Sequence, residues 1–350
     1  MFARSFNLSS FKLTSALLVQ EWRVQQFRTF IVTASPVIDP VQWKPTTPPA
    51  DLLDQPGVFK KFPKELALSC SGCGFLGSYH FGVMMSFQKH AKELLSRVTR
   101  FAGASAGSLV ATLMVVAPDK MEEGLNQLYE MADELVKLKL GALTPGYFLS
   151  ERLASVVNRH LPEDVSGADG RLFISLTRQK DKTNRLVSKY PSREYLALCL
   201  NASCFIPIYR PATTPCRPLW TTRFVWGLDG QERGERAQKL EAPGRIALPP
   251  CIDGGFTNNL PLFDDLPTVT ISPFAGSAMI APRDHNRFQW ELHFGTQGMR
   301  VNLQNVMRGA HSLFPPTREI LQAYYELGHR DAMKFLLNNG ILERTEGTEV

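Results

Sequence analysis

A serine between two closely spaced glycines is the first feature of the chain that could carry chemistry. The pattern is Gly103-Ala-Ser-Ala-Gly107, with Ser105 at its centre. In a sharp strand-to-helix turn a serine is held in a strained conformation with its hydroxyl exposed, and flanking side chains larger than glycine would clash. The amino end of the following helix favours an anion nearby. The spacing therefore predicts a nucleophilic Ser105, although short turns of small residues are also common without such chemistry.

A glycine-rich loop lies upstream, at Gly72-Cys-Gly-Phe-Leu-Gly77. It follows a predicted strand and opens a helix, so its backbone amides can point at an anion. The same spacing occurs in dinucleotide-binding folds, but those need an acidic residue at the end of the next strand. The next strand here leads instead into the Ser105 turn. We therefore interpret the loop as an oxyanion hole, with four candidate residues: Gly72, Cys73, Gly74 and Gly77.

A third candidate is Asp253-Gly254-Gly255, followed by Asn258-Asn-Leu-Pro261. Two glycines after an aspartate allow a sharp turn that presents the carboxylate of Asp253 at a sheet edge. Taken alone, the pattern is an ordinary turn, because Asp-Gly pairs form turns readily. The pattern becomes specific only in combination with the other two motifs, in this order along the chain.

These motifs need neighbouring strands to bring them together. Strands are predicted at residues 65–71, 98–102, 172–177, 186–188, 205–209 and 268–272. Helices are predicted at 78–95, from the serine turn to 117, at 119–138 and at 317–338. Strands that alternate with helices predict an α/β domain with a largely parallel sheet covered on both faces.

In combination, the three motifs resemble the patatin-like phospholipases, within them the subgroup that includes adipose triglyceride lipase and adiponutrin. Other stretches similar to that subgroup are residues 73–80, 100–108, 173–178, 205–209, 270–274 and 313–316. Residues 141–147 look most like the short fourth vertebrate member. The resemblance covers residues 65–343 and implies a three-layer α/β/α domain with a central, mostly parallel sheet.

The resemblance also implies a lipid acyl ester hydrolase with a Ser-Asp dyad, no histidine and no cofactor. Ser105 would be the nucleophile and Asp253 the base, with an acyl-serine intermediate that water or an alcohol captures. The substrates would be neutral lipids or phospholipids, including triacylglycerols and retinyl esters. The expected location is the cytoplasm, in peripheral contact with lipid droplets or membranes. The alternative is a lipid-binding or regulatory protein of the same fold with an impaired dyad.

Two regions depart from the family pattern. Residues 1–61 are basic and then proline-rich, and we interpret them as a disordered leader, with a mitochondrial transit peptide or an extra packed helix as alternatives. Residues 211–251 form a long proline-containing segment, either a functional lid or a disordered insertion. Because prolines cannot donate to a sheet ladder, Pro249 and Pro250 raise the question whether Asp253 reaches Ser105. The domain is therefore assigned to residues 62–343, with a tail at 344–350.

Two other chemistries compete with this interpretation. Cys70 and Cys73 have the spacing of a metal or redox pair, but Cys199 and Cys204 do not complete a usual zinc site, so buried apolar thiols are favoured. A Ser-His-Asp hydrolase would place its histidine after the acid. The candidates for that role are His285, His293 and His311. Because that fold gives the glycine-rich loop before the serine no role, the histidine mechanism is disfavoured.

The helix predicted at 317–338 carries a stripe of apolar residues. Core packing is the favoured interpretation, and contact with a lipid surface is the alternative.

The composition of the chain excludes several other classes of protein. The chain has 350 residues, 44% of them hydrophobic and 21% charged, which is the balance of an ordinary globular protein. No apolar run of about 18 residues is present, which argues against a spanning segment. The net charge of +6 is mild and no basic block stands out, so we expect no nucleic-acid partner. A weak attraction to anionic lipid surfaces is all that this charge supports.

Overall fold

The computed structural model describes residues 63–144, 147–206, 248–284, 290–294 and 296–343. The predicted leader, the tail and residues 211–247 of the predicted insertion lie outside these residues. Among the described residues, no helix combines the length and apolarity that crossing a membrane requires.

A six-stranded sheet forms the centre of the domain and is flanked by helices. Its strands are β1 (Leu66–Cys70), β2 (Val98–Gly103), β3 (Leu172–Arg178), β4 (Asn184–Val187), β5 (Cys251–Asp253) and β6 (Thr268–Ile271). The main path has the order β4-β3-β2-β1-β6, in which β6, β1, β2 and β3 run parallel. All five residues of β1 are buried, as expected for a central strand covered on both faces. The predicted α/β fold with a mostly parallel sheet is confirmed.

Strand β3 pairs with three other strands: β4 along one edge, and β2 and β5 along the other. Leu176 and Thr177 pair antiparallel with both β4 and β5, so these two strands lie on opposite edges of β3. Since β2 lies on the edge away from β4, β2 and β5 follow one another along the same edge. The end of β2, which leads to Ser105, therefore lies near the end of β5, which is Asp253.

The α-helices of the described residues are α1 (Gly77–His90), α2 (Lys92–Ser96), α3 (Ala106–Val116), α4 (Met121–Lys137), α5 (Leu149–His160), α6 (Arg193–Ser203), α7 (Leu303–Leu313) and α8 (Arg318–Asn338). A two-stranded hairpin, β7 (Glu291–Phe294) and β8 (Gln297–Arg300), precedes α7.

Two predicted elements differ from the observed ones. The single helix expected at 78–95 is divided at Ala91, where φ is −151° and ψ is 47°, outside the helical region. Phe205 and Ile206, expected to begin a strand, follow the end of α6 without regular structure, and 207–209 lie outside the described residues. Residues 251–253 pair with β3 although Pro249 and Pro250 precede them, because the ladder begins only at Cys251.

The last helix belongs to the core. Glycines allow α1 and α8 to approach closely, since a Cβ at Gly82 would overlap the Tyr325 carbonyl and one at Gly328 would overlap the Tyr79 carbonyl. The buried side chains of α8 include Leu321, Tyr324, Leu327, Phe335 and Leu336. The favoured interpretation of the apolar stripe at 317–338 agrees with this packing.

Candidate active site

The turn after β2 holds Ser105 in a strained backbone conformation. Its φ is 51° and its ψ is −129°, a region that residues with a side chain rarely adopt. Both flanking glycines are needed for space: a Cβ at Gly103 would overlap the backbone of Gly107, and one at Gly107 would overlap the carbonyls of Cys70 and Ser71. The turn is therefore pressed against the end of β1, with Ser105 at the start of α3.

A second serine fixes the backbone of this turn. The Ser105 amide donates to Ser203 Oγ over 2.9 Å, and Ser203 Oγ donates to the Ser175 carbonyl over 2.8 Å. Ser203 lies at the end of α6 and Ser175 in β3, so the turn is tied to two further elements.

The glycine-rich loop after β1 lies directly beside Ser105. A Cβ placed on Gly72 would be 3.3 Å from the Ser105 Cβ. The Gly72 amide donates to the Asn259 carbonyl over 3.1 Å, and the Gly77 amide donates to the Gly74 carbonyl. The amides of Cys73 and Gly74, by contrast, donate no hydrogen bond to any part of the chain that the structure describes. Of the four predicted loop residues, these two have amides available for an anion.

Gly74 gives the loop its shape. Its φ is 53°, and a Cβ there would overlap the carbonyl of Ser312 at the end of α7. Both restrictions demand glycine, because a positive φ is costly for other residues and the space is already filled.

Asp253 ends β5 as a buried carboxylate with 5% of its surface exposed. Burial raises its pKa to about 7, an effect partly offset by hydrogen bonds from the Gly255 amide and the Ser105 side chain. The Gly255 amide is 2.7 Å from Asp253 Oδ1. Gly254 is required here because a Cβ would overlap the Ser175 carbonyl. The structure therefore places Asp253 near Ser105.

Asn259 connects the Asp253 turn to the glycine-rich loop. Its Nδ2 donates to the Gly72 carbonyl over 3.2 Å and to Gln297 Oε1. Gln297, which is fully buried in β8, donates in turn to Ser272 Oγ over 2.6 Å. Asn259 thus binds Gly72 through both its side chain and its own carbonyl, and the buried Gln297 holds Asn259 in place.

An apolar cavity of about 270 Å³ opens beside Ser105. Its lining includes Gly74, Ser105, Cys204 and Ser312, and is otherwise mostly apolar. A second, smaller cavity of about 90 Å³ adjoins it, and the two share five lining residues: Ala106, Leu109, Leu128, Met131 and Leu153. Two adjacent apolar cavities therefore lie in this part of the domain, and Ser105 is in the lining of the larger of them.

The cysteine and histidine candidates occupy other environments. Cys70 and Cys73 are buried in the hydrophobic core, whereas Cys204 lines the cavity together with Ser105. His293 is exposed in the hairpin, and the Nδ1 of buried His311 is 3.0 Å from Tyr324 Oη. His285 lies outside the described residues.

A family model matches more than half of the chain. The family model for patatin-like phospholipases matches residues 68–266, a range that contains the glycine-rich loop, Ser105 and Asp253. The chain belongs to the patatin-like phospholipase family. Members of this family are lipid enzymes of hydrolase or acyltransferase type.

Several family members are similar to most of this chain. The human patatin-like phospholipase domain-containing protein 4 is 37% identical over 281 residues, which cover 80% of this chain and 100% of the relative. The rat patatin-like phospholipase domain-containing protein 2 is 35% identical, covering 81% of this chain and 54% of the relative. The mouse omega-hydroxyceramide transacylase is 34% identical, covering 80% of this chain and 42% of the relative. The chain thus spans about half or less of the two longer relatives.

Among solved structures, VipD from Legionella pneumophila aligns over 78% of this chain and 67% of its own, at 14% identity and a TM-score of 0.39.

Sequence reasoning missed part of the support around the site. Ser203 and Gln297 do not belong to a local sequence motif. Each is hydrogen-bonded to a residue that is far away along the chain. Asn259 was visible within the motif after Asp253, but only the fold shows that it holds Gly72.

Proposed function

We propose that this family member is a lipid acyl ester hydrolase that uses Ser105 and Asp253 as a catalytic dyad. The observation that carries the proposal is a strained serine beside a buried carboxylate, in the lining of an apolar cavity. The family supplies the general class of lipid chemistry.

In the first half of the reaction the Ser105 hydroxyl gives its proton to the Asp253 carboxylate. Its Oγ attacks the ester carbonyl, and the amides of Cys73 and Gly74 stabilise the oxyanion that forms. One oxyanion donor contributes on the order of 3 kcal/mol in other hydrolases. The ester C–O bond then breaks, and the leaving alcohol takes the proton back from Asp253, which leaves an acyl-Ser105.

The second half repeats these steps with water. Water gives a proton to Asp253 and attacks the acyl carbonyl, and Ser105 Oγ leaves with that proton, so a free fatty acid is released. An alcohol in place of water would give transacylation, which the similarity to a relative named as a transacylase supports. Because burial raises the pKa of Asp253 to about 7, the carboxylate is a much stronger base than an exposed aspartate.

The substrates that fit this site are esters with an apolar acyl chain, which the apolar cavity beside Ser105 would hold. We include triacylglycerols, phospholipids and retinyl esters in this class. Such substrates are insoluble, so we also propose peripheral contact with a lipid droplet or membrane.

The test is labelling by a fluorophosphonate probe, which reacts with activated serines. The purified chain should be labelled, and Ser105→Ala should abolish the label while circular dichroism shows that both proteins are folded. Asp253→Asn should label much more slowly. A folded parent that takes no label would contradict the hydrolase proposal and favour a lipid-binding or regulatory role.

A further inference from the structure

His80 is a fully buried histidine that the proposed mechanism does not use. It lies in the first turn of α1, shortly after the glycine-rich loop ends at Gly77. Its Nε2 is 2.8 Å from the carbonyl oxygen of Ser71, the residue immediately before the loop. The side chain of His80 therefore connects the two ends of the loop.

The contact with Ser71 determines which nitrogen of the His80 ring carries the proton. A carbonyl oxygen only accepts, so Nε2 donates and the neutral ring is protonated there. Burial lowers the pKa of His80 to about 4, an effect partly offset by the hydrogen bond to Ser71, so the ring is neutral near pH 7. Its Nδ1 has no hydrogen-bond partner among the described residues. An apolar residue would avoid leaving a buried polar atom unpaired, so packing alone does not account for a histidine here.

The Ser71 carbonyl belongs to the first peptide of the glycine-rich loop. The same peptide unit contains the Gly72 amide, which donates to the Asn259 carbonyl over 3.1 Å. The C=O and N–H of a trans peptide lie in one plane and point in opposite directions. His80 and Asn259 therefore hold this peptide from its two sides and fix the orientation of its plane.

The next two peptides of the loop are held at their carbonyls. The Gly72 carbonyl accepts from Asn259 Nδ2 over 3.2 Å. The Cys73 carbonyl accepts from the Leu76 amide over 3.1 Å. The N–H groups of these two peptides are those of Cys73 and Gly74, which donate no hydrogen bond within the described structure. Three successive carbonyls are thus hydrogen-bonded, and the two available amides point away from those contacts.

The Ser71 peptide also lies against the turn that carries Ser105. A Cβ on Gly107 would be 2.5 Å from the Ser71 carbonyl oxygen, so the two turns are in backbone contact at this point. The Ser71 amide donates to the Ile271 carbonyl in β6 over 3.0 Å. A rotation of the Ser71 carbonyl would therefore move the loop amides relative to Ser105.

From these contacts we propose that His80 is a positioning residue, which orients the first peptide of the loop and through it the amides of Cys73 and Gly74. The inference rests on the proposed function, because an oxyanion forms at these amides only when Ser105 attacks an ester. In this role His80 accepts no proton and forms no bond to the substrate, unlike the histidine of a Ser-His-Asp hydrolase.

The test compares three substitutions of His80 in the hydrolysis of p-nitrophenyl butyrate, a soluble ester. His80→Leu removes the donor and should lower kcat by roughly 10- to 100-fold with KM within about threefold, since misplaced oxyanion donors act on the transition state. The amide nitrogen of His80→Gln lies near the original Nε2 and should restore most of this loss. His80→Asn is polar but too short to reach Ser71, so it should behave like His80→Leu.

The matched control is His329→Leu. His329 is a partly buried histidine of α8 that contacts α1, with its Nδ1 2.7 Å from Ser86 Oγ. Its replacement disturbs the contact between α1 and α8 and leaves the hydrogen bonds of the loop intact, so kcat should stay within about twofold of the parent. Melting temperatures of all variants separate a general loss of stability from a loss of kcat.

The position of the proton is measured independently of activity, by two-bond ¹H–¹⁵N correlation of the ring nitrogens. At pH 7 His80 of the parent should carry its proton on Nε2, and a proton on Nδ1 would overturn the inference. So would an unchanged kcat in His80→Leu, or equal losses in His80→Leu and His80→Gln. In each of these cases an active parent with an inactive Ser105→Ala variant would keep the proposed function. A parent that hydrolyses no ester and takes no fluorophosphonate label would refute the proposed function and, with it, this role of His80.

Discussion

The two glycine-rich turns after β1 and β2 lie side by side at the ends of neighbouring parallel strands, yet they present different parts of the chain. The turn after β1 presents backbone: the Cys73 and Gly74 amides carry no hydrogen bond within the described structure. The turn after β2 presents a side chain, Ser105, and its own amide is occupied by Ser203. Glycine serves both turns for different reasons, one to expose amides and the other to let a strained serine press against β1. Glycine content alone therefore does not say which function a turn has.

The largest expected effect comes from the side chain of the second turn. Ser105→Ala should lower kcat/KM for ester hydrolysis by about 10,000-fold or more, because no other group replaces the nucleophile. The melting temperature should stay near that of the parent, since alanine adopts the same backbone with the same strain. A residual rate within about 100-fold of the parent would show that this turn does not supply the nucleophile.

The next largest effect is expected at Asp253, the proposed base for Ser105. Asp253→Asn should lower kcat/KM by about 1,000-fold, because the serine loses its base. In the parent, kcat/KM should rise with pH through about 7, where Asp253 ionises. A rate that does not change between pH 5 and 9 would contradict this assignment.

Asp253→Asn should lower activity but raise the stability of the folded protein above neutral pH. The folded parent holds the Asp253 proton more tightly than the unfolded chain, so its stability is full below the ordinary pKa of 3.8 and falls as pH rises towards 7. Asn does not ionise, so at pH 8 the variant should be more stable, on the order of 2–4 kcal/mol by denaturant unfolding. Below pH 4 the two proteins should unfold alike.

In the first turn the critical position is Gly74. Gly74→Ala should lower kcat by about 100-fold, the effect of losing one oxyanion donor, because the new Cβ overlaps the Ser312 carbonyl and shifts the amide. Gly77→Ala is the matched control within the same turn. A Cβ there meets the Ala106 Cβ at an ordinary 3.6 Å, so its activity should change only a few-fold. Equal losses in both variants would mean that the Gly74 amide has no special role.

The support of the first turn comes next. Asn259→Ala should lower kcat by about tenfold with little change in KM, because the glycine-rich loop loses its fixed position relative to Ser105. Gln297→Ala acts through the same hydrogen bond and should have a similar effect. A double-mutant cycle distinguishes this linkage from two separate defects, since linked residues give a double variant no worse than the single ones.

The smallest effect is expected in the support of the second turn. Ser203→Ala removes the acceptor of the Ser105 amide and should cost about 1 kcal/mol of unfolding free energy, measured with denaturant. Activity should fall only a few-fold, since the glycines still enforce the turn. A loss as large as that of Gly74→Ala would indicate that the Ser105 turn depends on Ser203 more than on its glycines.

The sequence predicts those parts of the site that depend on local backbone. The sharp turns at Gly72–Gly77 and Gly103–Gly107 are encoded by glycine itself, and the strands before them by short apolar runs. The helix break at Ala91 has no such signal, because Ala favours helices, and tertiary packing decides it. Ser203 and Gln297 escaped prediction for a related reason, since their partners lie 98 and 38 residues away. Polar contacts over such separations depend on the assembled fold.

Strand β5 shows how a correct rule can be applied too widely. Prolines cannot donate to a ladder, but Pro249 and Pro250 come just before the first paired residue, Cys251. The Pro250 carbonyl still accepts a hydrogen bond from the Gln179 amide. The rule excludes a paired strand that contains Pro249 and Pro250, but it allows a strand that begins immediately after them.

A single hydrogen bond closes the longest excursion of the chain outside the described fold. The Asp253 amide donates to the Phe205 carbonyl over 3.0 Å, so the chain leaves the site and returns to it at almost the same point. This contact fixes the start of the Asp253 turn directly against the end of the segment that follows α6. The position of Asp253 in space is therefore set by its neighbours in the fold, and not by the number of residues that separate it from Phe205 along the sequence.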